Sequence, residues 1–298
     1  MKTILLNKSQ YPRLLLEIDK PPKTLYCAGS LPPSQEEFRY LCVVGARNYS
    51  KYGHDVCVRL IRRLKDYPIV IVSGLAIGID SIAHAEALKV GMRVIGIPGS
   101  GLSREVLYPR TRLSLADKMI REGQTLLSPF EYEQGATMWT FPVRNCLMAG
   151  ISHATLIIEG RHDSGTLITA KHALEFNRDV LVVPGSIFSD LSVGPHNLFK
   201  EGAIPVFSAK DILDALGFDI PKNSMKKDDA QTEIIIPASL SDEQKKILQI
   251  LRYAPQNSSE LLDKIQISSP ALNIEISQLE LLDLVTEDEG KYRINTSI

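Results

Sequence analysis

The chain has 298 residues, 44% hydrophobic and 23% charged, with 34 Lys+Arg against 35 Asp+Glu and a formal net charge of −1. This is the composition of a folded globular protein, and at ~100–200 residues per domain the length predicts two domains. It excludes a collagen-like, mucin-like or wholly disordered chain and a globally basic DNA-coating protein, while leaving room for a local basic groove. The longest apolar runs, such as Ile69–Val72 and Leu181–Pro184, fall far below the ~20 residues of a membrane helix, so no membrane association is expected. The opening MKTILLNKSQYPR lacks the small-residue cleavage site of a signal peptide. Cys27, Cys42, Cys57 and Cys146 are dispersed without a C-x-x-C pair. Neither a disulfide framework nor a zinc knuckle is expected, and the predicted compartment is the reducing cytoplasm.

Residues 1–40 hold Tyr11-Pro12, Pro21-Pro22 and Pro32-Pro33 and read as an irregular, extended lead-in. From 41 to 220 short strands alternate with helix-length amphipathic segments. Strand Leu41–Gly45 precedes helix His54–Lys65, Ile69–Ser73 precedes Ile79–Leu88, and Arg93–Pro98 precedes Thr111–Glu122. Then come Gln124–Leu127 with Arg144–Ile151, Ala154–Glu159 with Leu167–Phe176, Val180–Pro184, and Ile204–Phe207 with Ala209–Leu216. Nearly continuous Val, Ile and Leu runs mark strands buried on both faces, and the alternation implies right-handed crossovers. The predicted fold class is α/β, a doubly wound parallel sheet of Rossmann-like type. Residues 221–239 are polar and read as a linker. Residues 240–298 read as helices Asp242–Leu251, Ser259–Lys264 and Pro270–Leu284 and a hairpin Val285–Ile294, the element order of a small winged-helix domain.

In such a sheet the ligand lies beyond the carboxyl ends of the strands, which makes the following loops informative. They are Gly45–Gly53, Ser73–Asp80, Pro98–Leu102, Glu159–Ala170 and Pro184–Ser186. Each is rich in glycine or small hydroxyl residues, including Ser50, Ser73, Gly74, Gly78, Gly99, Gly101, Ser164, Gly165 and Thr169. Glycine lets backbone N–H groups approach an anion, and a helix start adds partial positive charge. A single loop of this kind is explained by a tight turn and a capping serine; five on one rim predict an anion-binding edge.

The nucleotide fingerprints fail in detail. Gly45-Ala-Arg47 places a cation where a dinucleotide site needs its second glycine, and no Walker loop is present, so no cofactor is predicted. Asp80 and His84 lie four apart on one helix face, where they can form an acid–base pair or simply fix the helix start. Phe141, near Arg144 and Asn145, can stack a base or anchor the core. Arg47, Arg104, Arg110, Arg112 and Arg144 are predicted to project from the same rim. Charge favours that side of the chain: residues 1–220 hold 25 Lys+Arg against 22 Asp+Glu, net +3, whereas 240–298 hold 6 against 10, net −4.

The ordered set Gly45-x-Arg47-x-x-Ser50-x-Tyr52-Gly53, Ser73-Gly-x-Ala-x-Gly-Ile-Asp80-x-x-Ala-His84, Gly99-Ser-Gly101, Tyr108-Pro109, Phe141-Pro-x-Arg144-Asn145, Ser164-Gly-Thr-Leu-x-Thr169-Ala and Val183-Pro-Gly-Ser186 resembles the DNA processing protein A family (DprA, also called Smf). The resemblance implies a non-enzymatic, single-stranded DNA-binding protein of natural transformation. It would form a homodimer through the α/β domain, protect incoming strands and load the recombinase RecA. Carried over residue by residue, it implies that Arg47 and Arg144 bind phosphates, that Phe141 and Asn145 help form a base pocket, and that Ser73–Gly78 and Gly99–Gly101 line it. Two departures stand out: Cys146 where the family usually has arginine, and Ser164-Gly-Thr-Leu for Ser-Gly-Ser-Leu. The alternative class is a nucleotide phosphoribohydrolase of the lysine-decarboxylase-like type, whose P-G-G-x-G-T-x-x-E motif is only partly met by Pro98–Glu105. The acidic C-terminal domain, with no Lys or Arg in its third helix, is predicted to bind protein rather than duplex DNA.

Overall fold

The computed structural model describes residues 2–219, 240–282, 284–288 and 290–294, in two compact units, Met1–Ile220 and Pro221–Ile298. The expected linker, 221–239, lies outside the described residues.

In the first unit the strands are β1 (Thr3–Leu5), β2 (Tyr26–Gly29), β3 (Arg39–Gly45), β4 (Ile69–Ser73), β5 (Arg93–Gly96), β6 (Thr125–Ser128), β7 (Ala154–Ile158), β8 (Asp179–Val182) and β9 (Ile204–Pro205). They lie side by side as β1-β2-β6-β5-β4-β3-β7-β8-β9. From β6 across to β9 every pair is parallel, with Leu41 of β3 beside Ile71 of β4 and Ala154 of β7. β1 and β2 are antiparallel, so the sheet is Rossmann-like but mixed at one edge, not parallel throughout. The lead-in is therefore not irregular. It supplies two strands and a one-turn helix, α1 (Arg13–Leu16), and buries Leu6, Tyr11, Leu15, Ile18 and Leu25. Strands of three and four residues between prolines show no periodicity of their own; distant pairing makes them strands.

Successive side chains of a strand point to opposite faces, and β3 divides accordingly. Leu41 and Val43 join a core under α2 (Lys51–Leu64), α3 (Ile79–Lys89), α4 (Leu113–Arg121) and α8 (Ala209–Ala215). Tyr40, Cys42 and Val44 join the other core, roofed by α5 (Thr140–Ile151), α6 (Gly165–Glu175), α7 (Val193–Lys200) and the lead-in. The sequence reading has no helix at α7, whose Gly194 and Pro195 break the pattern, and it begins α5 four residues late.

This topology fixes the site. The chain walks from β3 through β4 and β5 to β6 on one side, then returns to lay β7 on the other flank of β3. The loops after β3 and β7 diverge and open a crevice at this switch point, where ligands of doubly wound sheets bind.

The second unit has α9 (Asp242–Leu251), α10 (Ser258–Ile265) and α11 (Ser269–Leu281), followed by the antiparallel pair β10 (Val285–Asp288) and β11 (Lys291–Ile294). Ser241 accepts from the Gln244 N–H at 3.1 Å and Asn257 from the Glu260 N–H at 2.9 Å, each capping a helix. Ile247, Leu248, Leu261, Leu272 and Leu279 form a separate core. α11 leaves Ile274 and Leu281 exposed.

Candidate nucleic-acid interface

Ser50 caps α2, accepting from the Gly53 N–H at 3.1 Å. Its own N–H donates to Glu159 Oε2 at 2.9 Å and its hydroxyl to the other carboxylate oxygen. Glu159 is buried just past β7 with φ +57°, a left-handed conformation uncommon outside glycine. One carboxylate thus ties together the loops on either side of the switch point. Ser50 is thereby occupied as a cap, whereas Arg47 and Asn48, ahead of it, stay exposed in the crevice.

The crevice is a cleft of about 520 Å³. Of the predicted residues, Arg47, Phe141, Arg144, Asn145, Ser164, Gly165 and Thr169 line it. A narrower cleft beside it shares Arg47, Phe141 and Arg144 and adds Gly74, Gly99, Tyr108 and Pro109. Because α5 starts at Thr140, whose hydroxyl donates to Gly99 O at 2.6 Å, Phe141 lies in the first turn at the cleft wall. Its ring lies so close to Gly99 that a Cβ there would come within 2.7 Å of it, which is why this position needs glycine. The Tyr108 ring meets Phe141 edge-on at 5.8 Å, and the Arg47 guanidinium carbon lies 5.6 Å from its centroid. A cation over a half-buried aromatic face is a platform for a base with its phosphate. Ser164 caps α6, and Asn145 Nδ2 donates to Gly165 O at 3.1 Å, which joins α5 to the start of α6.

Arg144 differs from the expectation. It does not project from the rim but lies in the floor of the cleft, 4% exposed. Its guanidinium donates to Gly74 O, to Ile97 O at 3.1 Å and to Asn145 Oδ1 at 2.9 Å, bracing the carboxyl ends of β4 and β5. Asp80 accepts from the Gly74 N–H at 3.1 Å, so Gly74 is held between the two charged groups and a Cβ there would collide with the guanidinium. Burial pushes the Asp80 carboxyl up, opposed by Arg144, the Gly74 and Ala76 N–H groups and Arg47. A buried cation and a buried anion offset each other's desolvation in this way.

Other predicted residues fall outside both clefts. Ser73 is buried and donates to Val43 O at 2.6 Å. Gly78 starts α3 against Ala46 and Arg47, Gly101 packs on the Glu131–Tyr132 backbone, and Arg110 donates to Glu105 O. Arg104 pairs with Asp117 at 2.8 Å, and of the five arginines expected on one rim Arg47 and Arg144 line the clefts while Arg104, Arg110 and Arg112 line neither. In their place Arg161, exposed after β7, joins Arg47 at the cleft. The signal for Arg161 was its place directly behind the switch-point strand. Cys146 faces neither cleft; burial raises its pKa, helped by Glu175 on α6, so the unusual residue sits at the α5–α6 contact. Among the described residues no three His, Cys, Asp or Glu side chains cluster to hold a metal.

His84 does not pair with Asp80. Its Nε2 lies 3.1 Å from Ile95 O, which can only accept, so the neutral ring carries its proton on Nε2 and leaves Nδ1 buried without a partner. Burial, reinforced by Arg144, lowers its pKa to about 4 although the Ile95 hydrogen bond opposes this. The unfolded chain therefore takes up this proton first. Stability is fully present above pH ~6.5 and falls toward pH 4 by ~1.4 kcal/mol per unit. Urea unfolding at pH 7 and pH 5 should show His84→Met to be less pH-sensitive than the parent; equal slopes would refute this.

The chain matches the DNA recombination-mediator protein A family over residues 2–217. It is 38% identical over 216 residues to the DNA processing protein DprA of Bacillus subtilis, covering 72% of this chain and 71% of the relative. The structure is similar to that of DNA processing protein A from Streptococcus pneumoniae, with TM-score 0.67, 36% identity and coverage of 74% and 76%. It is also similar to that from Helicobacter pylori, described for its single-stranded DNA binding mode, with TM-score 0.63, 25% identity and coverage of 72% and 95%. This chain belongs to the DNA recombination-mediator protein A family.

Proposed function

We propose that the protein binds single-stranded DNA at the switch-point cleft, without catalysis, and protects incoming strands and loads the recombinase RecA during natural transformation in the cytoplasm. The observation that carries this reading is the Arg47 guanidinium over the Phe141 ring at the mouth of a 520 Å³ cleft. The Helicobacter pylori relative, whose structure concerns single-stranded DNA binding, supports it. Against the phosphoribohydrolase alternative, Glu105, which ends the partial match to that class's motif, lines neither cleft. Among the described residues no helix is long and apolar enough to cross a membrane.

A homodimer through the α/β unit belongs to the same reading, supported by exposed Ile187, Phe188 and Phe207. Phe188→Asp should then yield monomers in sedimentation analysis. The C-terminal unit is read as a winged helix that binds protein, supported by Ile274 and Leu281 on an α11 surface without Lys or Arg.

The test is a salt titration. Affinity for a single strand should exceed that for a duplex and fall steeply between ~50 and ~200 mM salt. A chain ending at residue 220 should bind a duplex no more weakly than the full chain. Salt-independent binding would sink the phosphate-contact reading.

A further inference from the structure

We propose a second anion site at the opposite ends of the same strands, a cavity of about 320 Å³ at the amino ends of β3 and β7 that takes a phosphate group. Arg39 opens β3 and His153 precedes β7. The six steps from Arg39 to Gly45, at ~3.3 Å each, separate this cavity from the switch-point cleft by ~20 Å.

The donors are fixed in place before any ligand arrives. The Tyr40 N–H donates to His153 Nδ1 at 2.9 Å, so the neutral ring carries its proton on Nε2, and no described residue accepts from that nitrogen. The Tyr40 ring holds the imidazole edge-on, with centroids 6.3 Å apart. Gln35 in the cavity wall is locked at both ends, accepting from the Leu14 N–H at 2.9 Å and donating to Ile151 O at 2.7 Å. The Gln35 main-chain carbonyl accepts from Arg39 Nη1 at 3.3 Å, which orients that guanidinium. Arg178 does not line the cavity; it is held by Leu14 O at 3.2 Å and Glu17 at 3.0 Å.

The charged groups that act on His153 are three arginines, Arg39, Arg178 and Arg13. Two carboxylates share the neighbourhood. Glu17 already lies between Arg13 at 3.5 Å and Arg178, and Glu36 is exposed in the wall. Two arginine forks, Arg13 and Arg39, and the His153 imidazole line this one cavity and match an anion with several acceptor oxygens. The room is many times the ~30 Å³ share of one water molecule. The phosphate can come from a free phosphate or nucleotide, or from the phosphodiester backbone of a strand.

The test uses the full chain carrying Arg47→Glu, so that failure of the switch-point cleft does not obscure the result. The ring protons of His153 are followed by NMR during addition of inorganic phosphate, and separately of an oligothymidylate. Movement with both identifies the phosphate group itself as the ligand; movement with the oligonucleotide alone identifies the strand backbone. Movement with neither overturns the site. Arg39→Gln should weaken the response about tenfold, and Arg13→Ala, whose side chain is 74% exposed and whose loss cannot unfold the sheet, about threefold. An unchanged response in Arg13→Ala together with folded Arg39→Gln would equally refute the assignment.

Discussion

Arg144→Met should lower the thermal midpoint of the α/β unit by roughly 6–12 °C, because removing one partner of a buried charge pair costs ~3 kcal/mol and each kcal/mol moves a domain of this size by ~2–4 °C. The substitution leaves Gly74 O and Ile97 O without their shared donor and Asp80 without its cation, all in the floor between β4 and β5. Methionine fills much of the volume, so the loss reports charge and hydrogen bonding rather than a cavity. Asp80→Asn removes the other charge. Combined with Arg144→Met it should lose less than the sum of the two singles, since each single leaves a buried ion alone. Calorimetry on the four proteins checks this, and a midpoint within ~2 °C of the parent for Arg144→Met would show that the guanidinium is not a structural brace. The family resemblance ranks Arg144 with Arg47 as a phosphate ligand. Burial separates them: Arg144 shapes the cleft from below, and Arg47 faces what enters it.

The same distinction explains what could be read from the chain beforehand. Strands such as Ile69–Ser73 are apolar on both faces, and their alternation with helices such as Ile79–Lys89 is enough to imply a doubly wound sheet and its ligand-binding end. Loop composition then points to Arg47, Phe141 and Ser164. It does not say which polar groups fold back on the protein. Ser73 has the chemistry of a phosphate donor, but its hydroxyl reaches Val43 O across the neighbouring strand. Asp80 and His84 share a helix face, yet Asp80 turns to Gly74 and His84 to Ile95. Those choices depend on strands brought alongside from elsewhere in the chain. The lead-in is the same case at larger scale: Tyr26–Gly29 becomes a strand by pairing with Thr125–Ser128 on one side and Thr3–Leu5 on the other.

Arg47→Glu should raise the dissociation constant for a single strand by roughly 30–100-fold at low salt, as expected when a phosphate contact becomes a repulsion. Arg47 is exposed with its guanidinium over the Phe141 ring, and Asp80 keeps Arg144 as its main cation, so the melting temperature should stay within ~1 °C of the parent. The salt slope tests the mechanism more sharply than affinity does. Losing one phosphate contact on a single strand flattens the slope of log K against log salt by ~0.7, and reversing the charge flattens it further. Phe141→Ala supplies the contrast. It should lose ~1–3 kcal/mol of stacking with the slope unchanged, because a ring releases no counterions. An Arg47→Glu protein that keeps both affinity and slope would place the strand somewhere other than the cleft between β3 and β7. A Phe141→Ala protein that loses slope rather than affinity would mean that the ring only positions the guanidinium above it.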